Sequence, residues 1–271
     1  MNKVDRCIIC GSADSDIKFR VDGFNIVKCR GCGLSYLQNP LPVTSDSDTY
    51  HTYYESSGQY DYSPDSPQQA IRELWEINEQ RIAMIRGYKS GGKLLDIGSG
   101  RGHFLYHAKR AGFDVMGMEI SSLASGFCES EYDIKVHVHN VEEEMNPGDR
   151  YDIITMWHVL EHFMDPEQVL RNVRTHLSEN GVLFVEVPNV QSLKFLLSSG
   201  SGKWVGGNHP RHHRYFFTRR TLAMLIEKAG FGSVQVYRAP YRLGRDSRIK
   251  SFSKKLLKSL DLDSFINIIA K

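Results

Sequence analysis

The chain has 271 residues, 41% of them hydrophobic and 24% charged, with a formal net charge of +2. That length has room for one large domain plus a small one, and near-neutrality argues against a protein built mainly to hold nucleic acid, which would present a dominant basic face. No apolar run is long enough to cross a bilayer, and no repeat period is present.

The first element is a cysteine array. Cys7-Ile8-Ile9-Cys10-Gly11 and Cys29-Arg30-Gly31-Cys32-Gly33 are two C-x2-C pairs separated by 18 residues, inside the spacing range of structural zinc sites. The glycine after each second thiolate can take a positive φ, so that backbone amides turn toward sulfur. Four thiolates, Cys7, Cys10, Cys29 and Cys32, leave Zn2+ no open position, so the expected metal is structural. A ribbon of about 40 residues relies on such a metal for folding free energy. A disulfide framework is the alternative; the lack of a signal-peptide pattern and the unpaired fifth cysteine, Cys128, argue against it.

Residues 1–43 are thus expected to form a small zinc ribbon, and 44–90 an aromatic linker or lid with a lead-in helix. The stretch Thr44 to Gln69 carries Tyr50, Tyr53, Tyr54, Tyr60 and Tyr62, which either pack on the linker or reach an acceptor pocket to hydrogen-bond substrate hydroxyls. Ile71, Leu74, Ile77, Ile82 and Ile85 make a broken apolar stripe on a helix expected from about 67 to 87.

From 91 to 271 strands and helices alternate, the pattern of a doubly wound α/β fold. Leu94-Leu95-Asp96-Ile97 reads as a buried strand breaking into Gly98, Gly100 and Gly102, which admit a ligand to the backbone and open a helix. The helix N-terminus would face that ligand. A dinucleotide fingerprint requires a glycine where His103 stands, so NAD and FAD are disfavoured. The second strand, Asp114 to Ile120, ends with Glu119, an acid placed to accept from a ribose diol. Ile134 to Asn140 alternates as a third strand before Val141, and Tyr151 to Met156 is the fourth. Asp165 and Pro166 start a helix that Asn180-Gly181 ends, and Val182 to Asn189 is the fifth strand. A loop over about 189–217, including Ser198 to Gly202 and Trp204, is expected on the substrate side. Thr218 caps a further helix, Ser233 to Tyr237 is the sixth strand, a basic helix spans about 248–260, and Phe265 to Ile269 is the last strand.

The pattern Asp96-x-Gly98-x-Gly100-x-Gly102 resembles motif I of class I S-adenosylmethionine (SAM) methyltransferases, and Trp157-His158-Val159-Leu160-Glu161-His162-Phe163-Met164-Asp165-Pro166 resembles the segment after strand four in small-molecule methyltransferases. With its ribbon in front, the chain is similar to sugar C- and O-methyltransferases; its second part is similar to ubiquinone-type O-methyltransferases. The resemblance implies a Rossmann-like sheet of seven strands, the last antiparallel. It also implies a SAM site made by Asp96, Gly98, Gly100, Gly102, Glu119, Asn140, Val141 and Trp157, although an acid is more usual where Asn140 stands. In ribbon-first relatives a histidine in a motif like His213-Arg214-Tyr215-Phe216-Phe217-Thr218 lies near the transferred methyl. His213 is therefore the first expected catalytic base and His158 the second, histidine being the side chain that titrates in the right range. Ubiquinone-type enzymes carry Glu-x-x-Glu-His in this region and use a divalent metal. Here His158 replaces the first acid, and on a helix His158, Glu161 and His162 would share one face.

The expected function is methyl transfer to a small molecule, a sugar or nucleotide-sugar hydroxyl or carbon, in cell-surface glycan or secondary metabolism. Arg211, Arg214, Arg219 and Arg220 are placed to meet a phosphate on the substrate, whereas Lys250, Lys254, Lys255 and Lys258 suit a solvated face. A ribosomal RNA methyltransferase with a zinc ribbon and a non-catalytic SAM-binding scaffold are the alternatives. Reduced thiolates point to the cytoplasm, and oligomeric state is left open.

Overall fold

The computed structural model describes residues 3–40, 69–143, 145, 150–192, 195, 210, 212–237 and 265–271. The cysteine-bearing segment supplies β1 (Ser15–Val21), β2 (Phe24–Cys29) and β3 (Ser35–Leu37). After helix α1 (Gln69–Arg86) come β4 (Lys93–Ile97), α2 (His103–Arg110), β5 (Asp114–Glu119), α3 (Ser122–Tyr132) and β6 (Val136–Val138). Then follow β7 (Tyr151–Trp157), a 3-10 turn (Leu160–His162), α4 (Pro166–His176), β8 (Leu177–Pro188), β9 (Tyr215–Phe216), α5 (Arg219–Lys228), β10 (Val234–Tyr237) and β11 (Phe265–Ala270).

Seven strands form one sheet in the order β10-β11-β8-β7-β4-β5-β6. The run β8-β7-β4-β5-β6 is parallel, and β11 is antiparallel to both its neighbours. The expected fold class, a doubly wound sheet with an antiparallel last strand, is what forms. Strands covered on both faces are mostly apolar, and strand period two assigns the layers. Leu94, Ile153, Val182 and Phe184 face the layer containing Ile82 and Ile85 of α1; Leu95, Ile154, Leu183 and Val185 face the layer of α4 and α5.

The helix starts follow their capping residues. Asp165 accepts from the Gln168 amide at 3.0 Å with Pro166 in the first turn, and Thr218 and Thr221 cap α5 reciprocally. Two boundaries differ from expectation. β8 begins at Leu177, opposite Tyr151, and the residues around Asn180-Gly181 form an irregularity in the strand, anchored by Ser178 Oγ donating to Tyr151 O at 2.8 Å. β6 has three residues, fewer than the alternation suggests, which suits the exposed edge of a sheet.

The smaller sheet has the order β1-β2-β3-β9, so the segment following His213 completes the sheet of the cysteine region. Cys7, Cys29, Leu34 and Tyr36 belong to the same apolar cluster as Tyr215, Phe217, Leu222 and the sheet residue Ile154. Among the described residues no helix is long and apolar enough to cross a membrane. The tyrosine-rich linker, the Ser/Gly loop with Trp204, Arg211 and the basic helix with its lysines lie outside the described residues.

Candidate functional site

The crevice lies where β4 and β7 diverge at their carboxyl ends, the usual place for a ligand in an open α/β sheet. Ile97, Gly98, Glu119, Asn140, Val141, His158 and His162 are among the residues lining it. Gly98, Gly100 and Gly102 have φ of 71°, 54° and 77°. A Cβ on Gly98 would stand 2.6 Å from Val159 Cγ2, and one on Gly102 2.1 Å from Cys128 Sγ, so the turn has no room for side chains. The amides of Gly98 and Ser99 donate to Met118 O at 2.8 and 3.1 Å, tying the turn to β5.

Glu119 accepts from the Gly100 amide at 2.8 Å through Oε2 and from the Ser121 amide at 2.9 Å through Oε1. Burial raises its pKa while these amides pull it down. Each carboxylate oxygen has a second lone pair, so a paired acceptor for a diol remains. That acceptor pair fits the ribose of SAM. The described geometry groups Gly98, Glu119, Asn140 and Val141 around the crevice. It sets two expected residues behind it. Asp96 is buried, accepts from Thr155 Oγ1 at 2.6 Å and is pushed up to about 7 by burial. Trp157 packs edge-on to Phe104, with the Arg81 guanidinium 4.4 Å from its ring centre. Both therefore support the turn from beneath. Glu142, to which the sequence assigned no role, accepts from the Met164 and Asp165 amides at 2.7 and 2.9 Å and ties the loop after β6 to the segment after β7.

The opposite wall carries the histidines. The expected helix with His158, Glu161 and His162 on one face does not form: His158 has φ 58°, and only Leu160–His162 make a 3-10 turn. A left-handed non-glycine backbone costs about 1 kcal/mol or more; here the His158 amide donates to Glu186 O at 2.8 Å. Its ring turns the same way, Nε2 lying 3.0 Å from Glu186 Oε1. Glu186 also pairs with Arg81 of α1, both being buried. His213 enters from the loop before β9, its ring centre 4.6 Å from that of His162. Beside them is Glu161, 1% exposed, with neither carboxylate oxygen hydrogen-bonded. Burial pushes Glu161 up to about 7 against the pull of His158, and burial lowers His162 to about 4.

One donor atom from each of Glu161, His162 and His213 lies within 4.8 Å of the others, and Glu161 Oε1 is 3.9 Å from His162 Nε2. Adjacent ligands of a cation bonded at about 2.1 Å would be roughly 3.0–3.4 Å apart. Glu161 and His162 thus stand slightly wider than bonded ligands would, and the third member is His213, where the sequence pointed to His158. The phosphate expectation is narrowed as well: Arg214 is engaged by Nε donating to His162 O at 3.0 Å.

The four cysteines do have metal spacing. Cys7 Sγ–Cys32 Sγ and Cys10 Sγ–Cys29 Sγ are both 3.4 Å, and all four sulfurs lie within 4.8 Å of one another. Tetrahedral Zn–S bonds of about 2.3 Å place sulfurs about 3.8 Å apart. Gly11 and Gly33 adopt φ of 71° and 87°, the knuckle conformation that the sequence suggested. The amides around Cys29 overcome its burial and lower it to about 7, whereas burial raises Cys32. The cluster could hold zinc.

Residues 67–236 match the methyltransferase-domain family. The chain is similar to the ubiquinone biosynthesis O-methyltransferase of Aeromonas salmonicida, at 28% identity over 173 residues covering 59% of this chain and 72% of the relative. The enzyme of the same description from Cupriavidus pinatubonensis is 26% identical over 182 residues, 63% of this chain and 73% of the relative. In fold it is similar to a SAM-dependent methyltransferase of Archaeoglobus fulgidus, with a TM-score of 0.55, 22% identity and 82% and 99% of the two chains covered. Magnesium protoporphyrin IX methyltransferase of Synechocystis, with S-adenosylhomocysteine bound, gives a TM-score of 0.56 at 15% identity over 83% of this chain and 99% of that one. A match over more than half of the sequence, on a sheet that sets a glycine turn against a strand-closing acid, makes this chain a member of the methyltransferase-domain family, a class I SAM-dependent methyltransferase.

Proposed function

We propose that the protein methylates a small molecule, a sugar or nucleotide-sugar, at a hydroxyl or carbon. The observation that carries this reading is the pairing of two walls in one crevice: Glu119 held by two amides on one side, and His158 and His162 lining the other around buried Glu161. When bound, SAM supplies a methyl already activated on sulfonium. The protein's remaining work is to align the acceptor and take its proton, and a base contributes about 10²–10⁴ in rate. Glu119, Gly98, Gly100, Gly102, Asn140 and Val141 are the proposed SAM residues, with Asp96 and Trp157 supporting them. His158 and His213 are the proposed histidines of the acceptor wall. The similarity to ubiquinone biosynthesis O-methyltransferases favours oxygen as the methylated atom.

Four thiols within 4.8 Å of one another support a structural zinc held by Cys7, Cys10, Cys29 and Cys32. In this reading 1–43 is the ribbon, 44–90 the lid with its lead-in helix, and 91–271 the catalytic domain, working in the cytoplasm. The test is incubation with methyl-labelled SAM and fractionated metabolites that include nucleotide sugars and phenols. Label in the sugar fraction is the expected result. Label only in phenols would move the acceptor to the ubiquinone-like class, and salt-sensitive label in total RNA would move it to ribosomal RNA. Tight SAM binding without turnover on any fraction would leave a scaffold.

A further inference from the structure

Strand β8 reads Val182-Leu183-Phe184-Val185-Glu186-Val187, with one carboxylate among apolar residues. Alternation along the strand points Glu186 to the same side as Val182 and Phe184, the layer that α1 covers. There it meets Arg81, the buried arginine of α1, whose Nη1 also donates to Asn78 Oδ1 at 3.1 Å and whose guanidinium caps the Trp157 ring. The same oxygen that pairs with Arg81, Glu186 Oε1, lies 3.0 Å from His158 Nε2. A carboxylate accepts only, so Nε2 carries the hydrogen and Nδ1 is left with the lone pair. The remaining contacts of His158 are Glu161 Oε1, 3.9 Å from Nδ1, and the Phe265 ring, 4.7 Å away between ring centres.

We propose that Glu186, held by Arg81, is the positioning carboxylate of this methyltransferase, and that it makes His158, acting through Nδ1, the base that takes the acceptor's proton. This deepens the reading above and rests on it. Three features separate His158 from the other histidines of the wall. Its side chain is 33% exposed and lines the crevice, whereas His213 is 7% exposed and packed on His162. His162 uses Nδ1 on His212 O at 2.9 Å, and its Nε2 is 3.9 Å from Glu161. His158 is held by one residue, Glu186, through both backbone and ring, and its left-handed backbone is fixed by that contact. A second group that fixes the tautomer and orientation of a base is the arrangement by which imidazoles generally act in proton transfer. In the step itself an acceptor oxygen bonds to the methyl carbon, the C–S electron pair returns to sulfur to leave neutral S-adenosylhomocysteine, and the hydroxyl proton passes to His158 Nδ1. The imidazolium so formed faces Glu186 and Glu161, with His162 and Arg81 the nearby cationic or titratable groups.

The first measurement is histidine side-chain 15N NMR on the intact protein with S-adenosylhomocysteine bound, His158 being assigned by its loss in His158→Asn. A Nε2–H tautomer is expected, turning to a mixture in Glu186→Gln; a Nδ1–H tautomer in the wild type overturns the proposal. The second measurement is label transfer from SAM to nucleoside-diphosphate sugars. Glu186→Gln is expected to lower kcat about 10- to 100-fold, with S-adenosylhomocysteine affinity within twofold, and to have no further effect in a His158→Ala background. Equal losses in both backgrounds, or a parallel loss of S-adenosylhomocysteine affinity, would make Glu186 a merely structural partner of Arg81. Should Glu186→Gln fail to fold with Arg81 left unpaired, the Arg81→Met/Glu186→Gln double variant removes the unmatched charge, and the same losses are expected. Absence of transfer by the wild type would overturn the acceptor reading and leave the tautomer result to decide the hydrogen bond.

Discussion

Two buried carboxylates of this protein have opposite surroundings, and that difference decides what each can do. Glu119 has both oxygens occupied by backbone amides and offers its second lone pairs to a ligand. Glu119→Ala is therefore expected to weaken S-adenosylhomocysteine binding well over tenfold by calorimetry, since two amides and a diol lose their acceptor; unchanged affinity would remove the residue from the cofactor site. The Glu161 carboxylate has no hydrogen bond, and its folded pKa stands near 7 against an ordinary 4.5. The folded state thus holds the proton longer than the unfolded chain. Its contribution to stability is fully present below about pH 4.5 and is lost as pH rises through 7, by about 3 kcal/mol at ~1.4 kcal/mol per pH unit. Glu161→Gln should then raise the melting temperature at pH 8 and leave it nearly unchanged at pH 4.5. An equal gain at both pH values would show that packing, and not charge, was relieved. The neutral His162, lowered to about 4, contributes in the opposite direction, losing stability as pH falls below 6.5.

At the scale of elements, the glycine turn is the tightest fit. Gly102 caps α2 from the left-handed region and faces Cys128 of α3 so closely that an added methyl would lie 2.1 Å from its sulfur. Gly102→Ala is expected to cost about 2 kcal/mol or more, combining overpacking with backbone strain. Cys128→Ala in that background should return the overpacking part and not the strain, read as two separate steps in urea midpoint. Full recovery would show that the left-handed conformation is not a constraint there. The short turn after β7 matters equally. Had a regular helix followed Trp157, His158 would have shared a face with Glu161 and His162; the 3-10 turn sends its ring to Glu186 on β8 instead.

Across the whole molecule, the cysteine region and the catalytic sheet are joined through one small strand. β3 pairs with β9, Leu37 N donates to Arg214 O at 2.8 Å, and Arg214 N donates to Glu161 O at 2.9 Å, so a line of backbone bonds runs from the thiolate-bearing sheet to the acceptor wall. Lys228 of α5 adds a bond to Ile8 O at 2.6 Å, beside the first cysteine pair. The glycine turn is tied instead to β5, Gly98 N donating to Met118 O and Gly100 N to Glu119. Zinc analysis is expected to return one metal per chain. Chelation should speed hydrogen exchange at the Tyr215 and Phe216 amides while changing S-adenosylhomocysteine affinity less than threefold. Exchange unchanged at β9 would mean that its pairing does not depend on the metal.

Most of the sheet, the glycine turn, Glu119 and the cysteine knuckles were legible in the residues themselves, because each depends on local rules: apolar runs bounded by turn signals, glycine where φ is positive, and thiolates at fixed spacing. What the chain order could not supply is which distant residues meet. Arg81 and Glu186 are 105 positions apart and neither belongs to a motif, yet together with His158 they form one hydrogen-bonded line. The pairing of β3 with β9 was equally out of reach, since a two-residue strand has no period to detect. Sequence by itself determined the class of fold and the side on which the cofactor binds, through short-range backbone constraints. Only the tertiary structure decided the orientation of the histidines, because that depends on which buried carboxylate, reached from another strand, lies within a hydrogen bond of each ring.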